Sequence, residues 1–222
     1  MCMKMKAAFG ISSIFMSMTK TSVMRMGCRP GSKMGTGFRL SPPSRGVISI
    51  QTVTALRRSM KLSNEEVTRY SRHLTLPEVG MQGQLKLKEA KVLMIGAGGL
   101  GSPLGMYLGA AGIGTIGVID FDVVDQTNLH RQIAHSLGDL GRPKAESLRE
   151  TLLAANPNVS VEVHDERLTP ENALELFECY DIIADGSDNF ETRYLINDAA
   201  FFTKKPLVSA SIFRFQGQLS VF

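Results

Sequence analysis

Two stretches of the chain can do chemistry together: the run Val92-Leu-Met-Ile-Gly-Ala-Gly-Gly-Leu-Gly101, and the apolar run Ile116-Gly-Val-Ile that closes on Asp120. In the first, Gly96, Gly98 and Gly101 provide a tight turn, close approach of the backbone to phosphate, and close contact of a helix with a strand. A helix opening near Leu100 aims unpaired N–H groups and the positive end of its dipole at an anion. Asp120 stands nineteen residues after Gly101, where a second parallel strand ends, and a carboxylate there accepts hydrogen bonds from ribose hydroxyls. Together they predict a mononucleotide or dinucleotide site.

More polar groups fall where the carboxyl ends of parallel strands should gather. A long loop after Asp120 holds Asp122, Asp125, Asn128, His130 and Arg131. Lys144 begins the next helix, and Asp185, Asp188 and Asn189 follow the fourth expected strand. A cation on the first turn of a helix opposes the dipole unless an anion lies nearby, so Lys144 invites a phosphate. Asn128, Arg131 and Lys144 handle more negative charge than the two bridged phosphates of NAD, which favours a triphosphate. Asp188 reads either as the cap of the helix beginning at Phe190 or as an oxygen ligand for the Mg2+ that accompanies ATP; the metal role is preferred. His73, His130, His135 and His164 show no metal-ligand spacing.

The elements that must position these groups follow from periodicity. Ser63 and Glu66 have capping-box spacing and open a short helix; the segment from Arg69 to Pro77 ends it, and Gly80 to Leu87 leads into the domain. Strands are expected near 91–95, 115–119, 159–164, 181–184 and 206–211, with helices near 100–112, 143–155, 170–179 and 190–203. Pro143 sits at the start of one helix, and Thr169 with Pro170 cap and open another. Strict alternation predicts a doubly wound, mostly parallel α/β sheet, Rossmann-like, covered on both faces. The final Gln218-Leu-Ser-Val-Phe222 follows Ile212 too soon for a helical crossover and should pair antiparallel.

Charge divides the chain at the same boundary. Residues 1–64 hold eleven Lys or Arg and no Asp or Glu, whereas residues 65–222 hold fourteen basic and twenty-one acidic residues, so the net +4 is a basic leader on an acidic domain. Residues 1–60 also carry nine of the twelve Met and no sustained period, which predicts a disordered leader before a domain over 61–222. The leader reads as a misplaced start or disordered tail, as an organelle transit peptide, or as an interrupted secretory signal. A cytoplasmic location is expected, with an organelle as the alternative. No basic stripe with interleaved aromatics predicts nucleic-acid recognition, and no run reaches the length of a membrane helix. Cys2, Cys28 and Cys179 have no C-x-x-C spacing, so no zinc site is expected within the chain. Cys179 reads as a small buried apolar residue.

These motifs in order resemble one family. The run from Arg69 to Gly80, the glycine turn, Ile119-Asp-Phe-Asp through Asn128-Leu-His-Arg-Gln132, Gly141-Arg-Pro-Lys-Ala, Asp185-Gly-Ser-Asp-Asn and Leu207-Val-Ser-Ala-Ser are similar to the MoeB/ThiF group of ubiquitin-activating-type adenylyltransferases, from about Leu62 to Phe222. The resemblance implies that the C-terminal glycine carboxylate of a ubiquitin-like sulfur-carrier protein attacks the α-phosphate of ATP, for molybdopterin synthesis, thiamine synthesis or tRNA thiolation. It places Gly99 against the nucleotide, Asp120 on the ribose, and Thr127, Asn128, Leu129, His130 and Arg131 along the phosphates. Lys144 then contacts phosphate, and Asp188 with Asn189 completes the metal and nucleotide side. Arg72 matches an arginine that family members insert into the neighbouring subunit's site, which implies a homodimer. Family members continue with zinc-binding C-x-x-C pairs and a reactive cysteine, so Zn2+ is expected only beyond Phe222. The sheet is then expected to be incomplete at its C-terminal edge, and the fragment alone to be unstable or inactive. Two other functions fit part of the pattern: an NAD-dependent oxidoreductase, and a catalytically silent dimerisation partner.

Overall fold

The computed structural model describes residues 61–222. The leader, with Cys2 and Cys28, lies outside the described residues. Six strands form one sheet in the order β3-β2-β1-β4-β5-β6. They are β1 (Lys91–Ile95), β2 (Thr115–Ile119), β3 (Ser160–His164), β4 (Ile182–Asp185), β5 (Leu207–Phe213) and β6 (Gln216–Val221). The first five pair in parallel, and β6 returns antiparallel along β5.

Side-chain alternation along the strands explains why helices cover both faces. Val92 and Met94 of β1 join Ile116, Val118 and Ile182 in one apolar layer. Helices α4 (Gly101–Ala111) and α5 (Lys144–Ala155) close it with Leu108, Leu148 and Leu152. The alternate residues Leu93 and Ile95 join Ile119, Ile183 and Leu207 in the opposite layer. There α6 (Pro170–Glu178) and α7 (Phe190–Thr203) contribute Phe177, Ile196 and Ala199. Cys179 is half-buried at the end of α6 against this layer. Among the described residues no helix is long and apolar enough to cross a membrane.

The N-terminal segment departs from the expectation. Helix α1 (Asn64–Arg69) opens on the capping box, but two further helices follow, α2 (Ser71–Leu74) and α3 (Gly80–Glu89), where the sequence assigned only a lead-in to the domain and no element. The apolar pattern of α3 is weak because a polar residue docks it. Gln84 is fully buried, donates to the Ala111 carbonyl at 2.9 Å and meets His73 Nδ1 at 2.9 Å. A hydrophobic period cannot register such an anchor.

Glu66 ties this segment together. Its carboxylate accepts from the Ser63 amide at 2.7 Å and from Lys88 Nζ of α3 at 2.7 Å. Burial alone raises its pKa, but the hydrogen bonds from Lys88 and Ser63 outweigh that and hold it below the ordinary glutamate range. A carboxyl depressed in the folded state adds stability above its unfolded pKa and loses it as the pH falls through the folded one. Glu66→Gln is therefore expected to cost about 1–3 kcal/mol at pH 7 and to flatten the loss of stability on acidification, as read by urea unfolding at stepped pH.

Candidate functional site

The strand order reverses at β1: the chain proceeds from β1 outward to β2 and β3, then crosses to β4 on the other side. A crevice opens at the carboxyl ends of the strands at such a point. Here it is a cavity of about 870 Å³, walled by Gly96, Gly98 and Gly99 of the turn, Asp120 and Phe121 after β2, and Arg131, Gln132 and Lys144 from the loop beyond. The segment after β4 adds Asp188 and Asn189, and β5 adds Ser209 and Ser211.

The glycine turn separates two roles. Gly96 has φ +95°, open to glycine at little cost. A Cβ on Gly101 would lie 1.9 Å from the Gly96 carbonyl oxygen, so helix α4 starts against β1 only because that position lacks a side chain. At Gly99 the nearest atoms to an added Cβ belong to Arg131 at 3.6 Å, an ordinary contact. The fold therefore needs glycine at 101, whereas at 99 the absent side chain leaves space on the cavity wall.

Asp120 is fixed beside the turn. Ala97 N–H donates to it at 2.7 Å and Asp122 N–H at 2.8 Å. Burial raises its carboxyl above the ordinary aspartate value, although those two amides and Lys144 pull it back. Below the turn, buried His135 bridges the Ala97 carbonyl at 3.0 Å and Ser147 Oγ at 2.8 Å, a structural place for this histidine.

The loop between Asp120 and Lys144 is closed at its neck. Val124 N–H donates to the Arg142 carbonyl, Gly141 N–H to Val124, and Lys144 N–H to Asp122, each at 2.9 Å. Lys144 is buried, and its ammonium pairs with Asp122 at 2.7 Å. The anion that the first-turn lysine required is thus already supplied by Asp122, with Lys144 still on the cavity wall. Arg131 is different. It leans over Gly99 and donates to the neutral Asn128 Oδ1 at 2.7 Å, and among the described residues it makes no ion pair. Its charge faces the cavity uncompensated.

Across the cavity, Asp185 is buried and accepts from Ser187 N–H at 2.9 Å, Ser187 Oγ at 2.6 Å and Ser209 Oγ at 2.7 Å. Arg193 of α7 pairs with it at 3.5 Å and donates to the carbonyls of Ser187 and Ala210. This network fixes the segment carrying Asp188. Asn189, not Asp188, caps α7, accepting from Thr192 N–H at 2.9 Å. The exposed Asp188 carboxylate has no partner among the described residues.

Of the residues expected from the sequence, Gly96, Gly98, Gly99, Asp120, Arg131, Lys144, Asp188 and Asn189 meet at this one cavity. Gly101, Thr127, Asn128, Leu129 and His130 stand off its wall; Thr127 donates to Asp125 and Asn128 holds Arg131. Arg72 is exposed on α2, away from it. Sequence reasoning passed over Gln132 and Arg193. Arg193 lies on the helix Phe190–Thr203 and Gln132 in the irregular loop after β2, and the single available signal for Gln132 was its place directly after Arg131.

The profile of the ThiF family matches residues 70–222. A curated relative from Mycobacterium tuberculosis, the probable adenylyltransferase/sulfurtransferase MoeZ, is 59% identical over 161 residues, 72% of this chain and 41% of the relative. The sulfur carrier protein adenylyltransferase of Thermus thermophilus is 51% identical over 163 residues, 73% of this chain and 60% of the relative. The chain thus spans between two fifths and three fifths of the length of these relatives. Among solved structures, Escherichia coli tRNA N6-threonylcarbamoyladenosine dehydratase TcdA in complex with ATP superposes with TM-score 0.64 at 29% identity, covering 68% of this chain and 61% of that one.

The contrast within the glycine turn is measurable. Gly101→Ala is expected to cost about 1–3 kcal/mol or more through overpacking, whereas Gly99→Ala should stay within about 0.5 kcal/mol of the parent. Urea unfolding of the two variants side by side checks this, and equal losses would contradict the assignment of roles.

Proposed function

The chain belongs to the ThiF family, and on that premise we propose that its cavity binds ATP and joins AMP to the C-terminal glycine of a ubiquitin-like sulfur-carrier protein. One oxygen of the glycine carboxylate attacks the α-phosphorus, the bond from that phosphorus to the bridging oxygen breaks, and pyrophosphate leaves with the electron pair. The acyl-adenylate is then the activated form that a later sulfur transfer consumes, for molybdopterin synthesis or tRNA thiolation. The name of the Thermus relative and the ATP bound by TcdA support this reading.

The observation that carries it is that Gly98, Gly99, Arg131 and Lys144 line one cavity, with Arg131 against Gly99. Carboxylate and polyphosphate repel each other, so the site must neutralise charge and hold both in line; positioning and electrostatics do most of such work. No base is required, because a carboxylate is already ionised near neutral pH. Arg131 offers an uncompensated charge, which favours a triphosphate over NAD. Lys144, held by Asp122, meets the phosphates from a buried, fixed position. Asp120 keeps lone pairs for the ribose hydroxyls beyond the two amides it accepts from.

Asp188 would hold the Mg2+ that travels with ATP. No group of three ligating side chains exists among the described residues, and one carboxylate with phosphate oxygens and water is a usual Mg2+ environment. When bound, the ion supplies positive charge to the phosphate oxygens. Asn189, with its carbonyl engaged in the cap, retains its amide donor for the nucleotide side. Arg72, outside its own subunit's cavity, is assigned to the site of a second copy, as a homodimer would allow.

Carrier-dependent exchange of labelled pyrophosphate into ATP tests the proposal on the full chain. Arg131→Ala and Lys144→Ala are each expected to lower exchange by about 100-fold, the scale for one preorganised electrostatic group. Exchange that is unaffected by both, or that ignores removal of the carrier's terminal glycine, would contradict it.

A further inference from the structure

Gln132 is 4% exposed, and its Oε1 is the single buried side-chain polar atom without a partner among the described residues. Other buried polar side chains are satisfied: Gln84 by His73 and Ala111, His135 by Ser147 and Ala97, Asn156 by Tyr70 and Gly109. An unpaired buried acceptor is costly and calls for a reason, which strain or function can supply.

Placement supplies one. Gln132 lines the cavity, and its Nε2 is the nearest atom to the empty position above Gly98, 3.5 Å from where a Cβ would stand. The residue is held there by its backbone: its N–H donates to the Asn128 carbonyl at 3.0 Å and its carbonyl accepts from His135 N–H at 3.2 Å. Nearby Ala134 is buried in the core layer. Turning the carboxamide over would present its acceptor to the cavity and bury its donor. The observed orientation keeps the donor toward the place where the glycine turn and the start of α4 gather N–H groups, as anion sites do.

We infer that Gln132 is a nucleotide-contacting residue, whose Nε2 donates to a phosphate oxygen seated over Gly98. The inference rests on the ATP reading above. The acceptor left unpaired on the far side of the carboxamide is the cost of holding that donor in place. Function and stability should then respond to substitution in opposite directions.

Equilibrium binding of ATP and of adenosine, with thermal unfolding, on the full chain and two variants tests this. Gln132→Met keeps length and volume and removes both polar atoms. It should unfold at the same or a higher temperature, yet bind ATP about tenfold more weakly, as for loss of a hydrogen bond to a charged group. Gln132→Glu turns a carboxylate toward the phosphate and should weaken ATP further. Adenosine, which has no phosphate, should bind all three proteins alike. ATP binding by Gln132→Met equal to the parent's would overturn the inference alone. A lowered unfolding temperature with parallel loss of adenosine would assign Gln132 to structure and overturn it as well. Failure of the parent to bind ATP would remove the nucleotide reading itself.

Discussion

The carbonyl of Gly96 faces the α-carbon of Gly101 so closely that a methyl group there would come within 1.9 Å of the oxygen, and the site is arranged around that contact. It brings the first turn of α4 directly onto the end of β1, at the point where strand order reverses. Of the turn's amides, those of Gly96 and Ala97 are tied to Ile119 and Asp120, whereas Gly98 and Gly99 lie on the wall of the crevice. The two apolar layers hold β1 rigid from both faces, so the turn has a fixed base. A phosphate bound there, as proposed, would require no reorganisation of the turn, the condition under which fixed dipoles are most effective.

Charges around the crevice are distributed unevenly. Lys144 and Arg193 are each anchored by an aspartate, Asp122 and Asp185. Each is thereby placed within the fold before any ligand is present. Arg131 meets Asn128, the Thr127 carbonyl and the His130 ring but no carboxylate among the described residues, and keeps its charge for the cavity. Asp188 is the mirror case, an exposed carboxylate on a segment fixed by its buried neighbour Asp185. Arg131 and Asp188, neither in an ion pair among the described residues, thus line the same cavity, together with Glu166 and with Arg167, which lies over the Phe121 ring; such charges suit the proposed polyphosphate better than a neutral ligand.

Most of the architecture was legible because its signals are local. The glycine turn, Asp120 and the alternation of short apolar runs with capped helices each have a backbone cause, and the strands fall within two residues of their expected bounds. What escaped had a non-local cause. Helix α3 docks through Gln84, a buried polar residue that contacts a helix 27 positions on. The cap of α7, which was one of two readings for Asp188 and the less favoured, belongs to Asn189, because either side chain suits a cap and only the chain path decides. Lys144 was read as awaiting a phosphate because its pairing with Asp122, 22 residues earlier, is set by the closed neck of the loop. Gln132 gave no signal of its own, since its meaning lies in a missing hydrogen bond.

The claim on which all this depends is that a triphosphate rests on the amides of the turn at 98–101 with Arg131 and Lys144 converging on it. A crystal structure of the full chain with a non-hydrolysable ATP analogue tests it most directly. The account predicts phosphate oxygens within hydrogen-bond reach of those amides and both cations, with the ribose on Asp120. A nucleotide seated elsewhere, or one in the crevice with its phosphates turned away from Arg131 and Lys144, would contradict it.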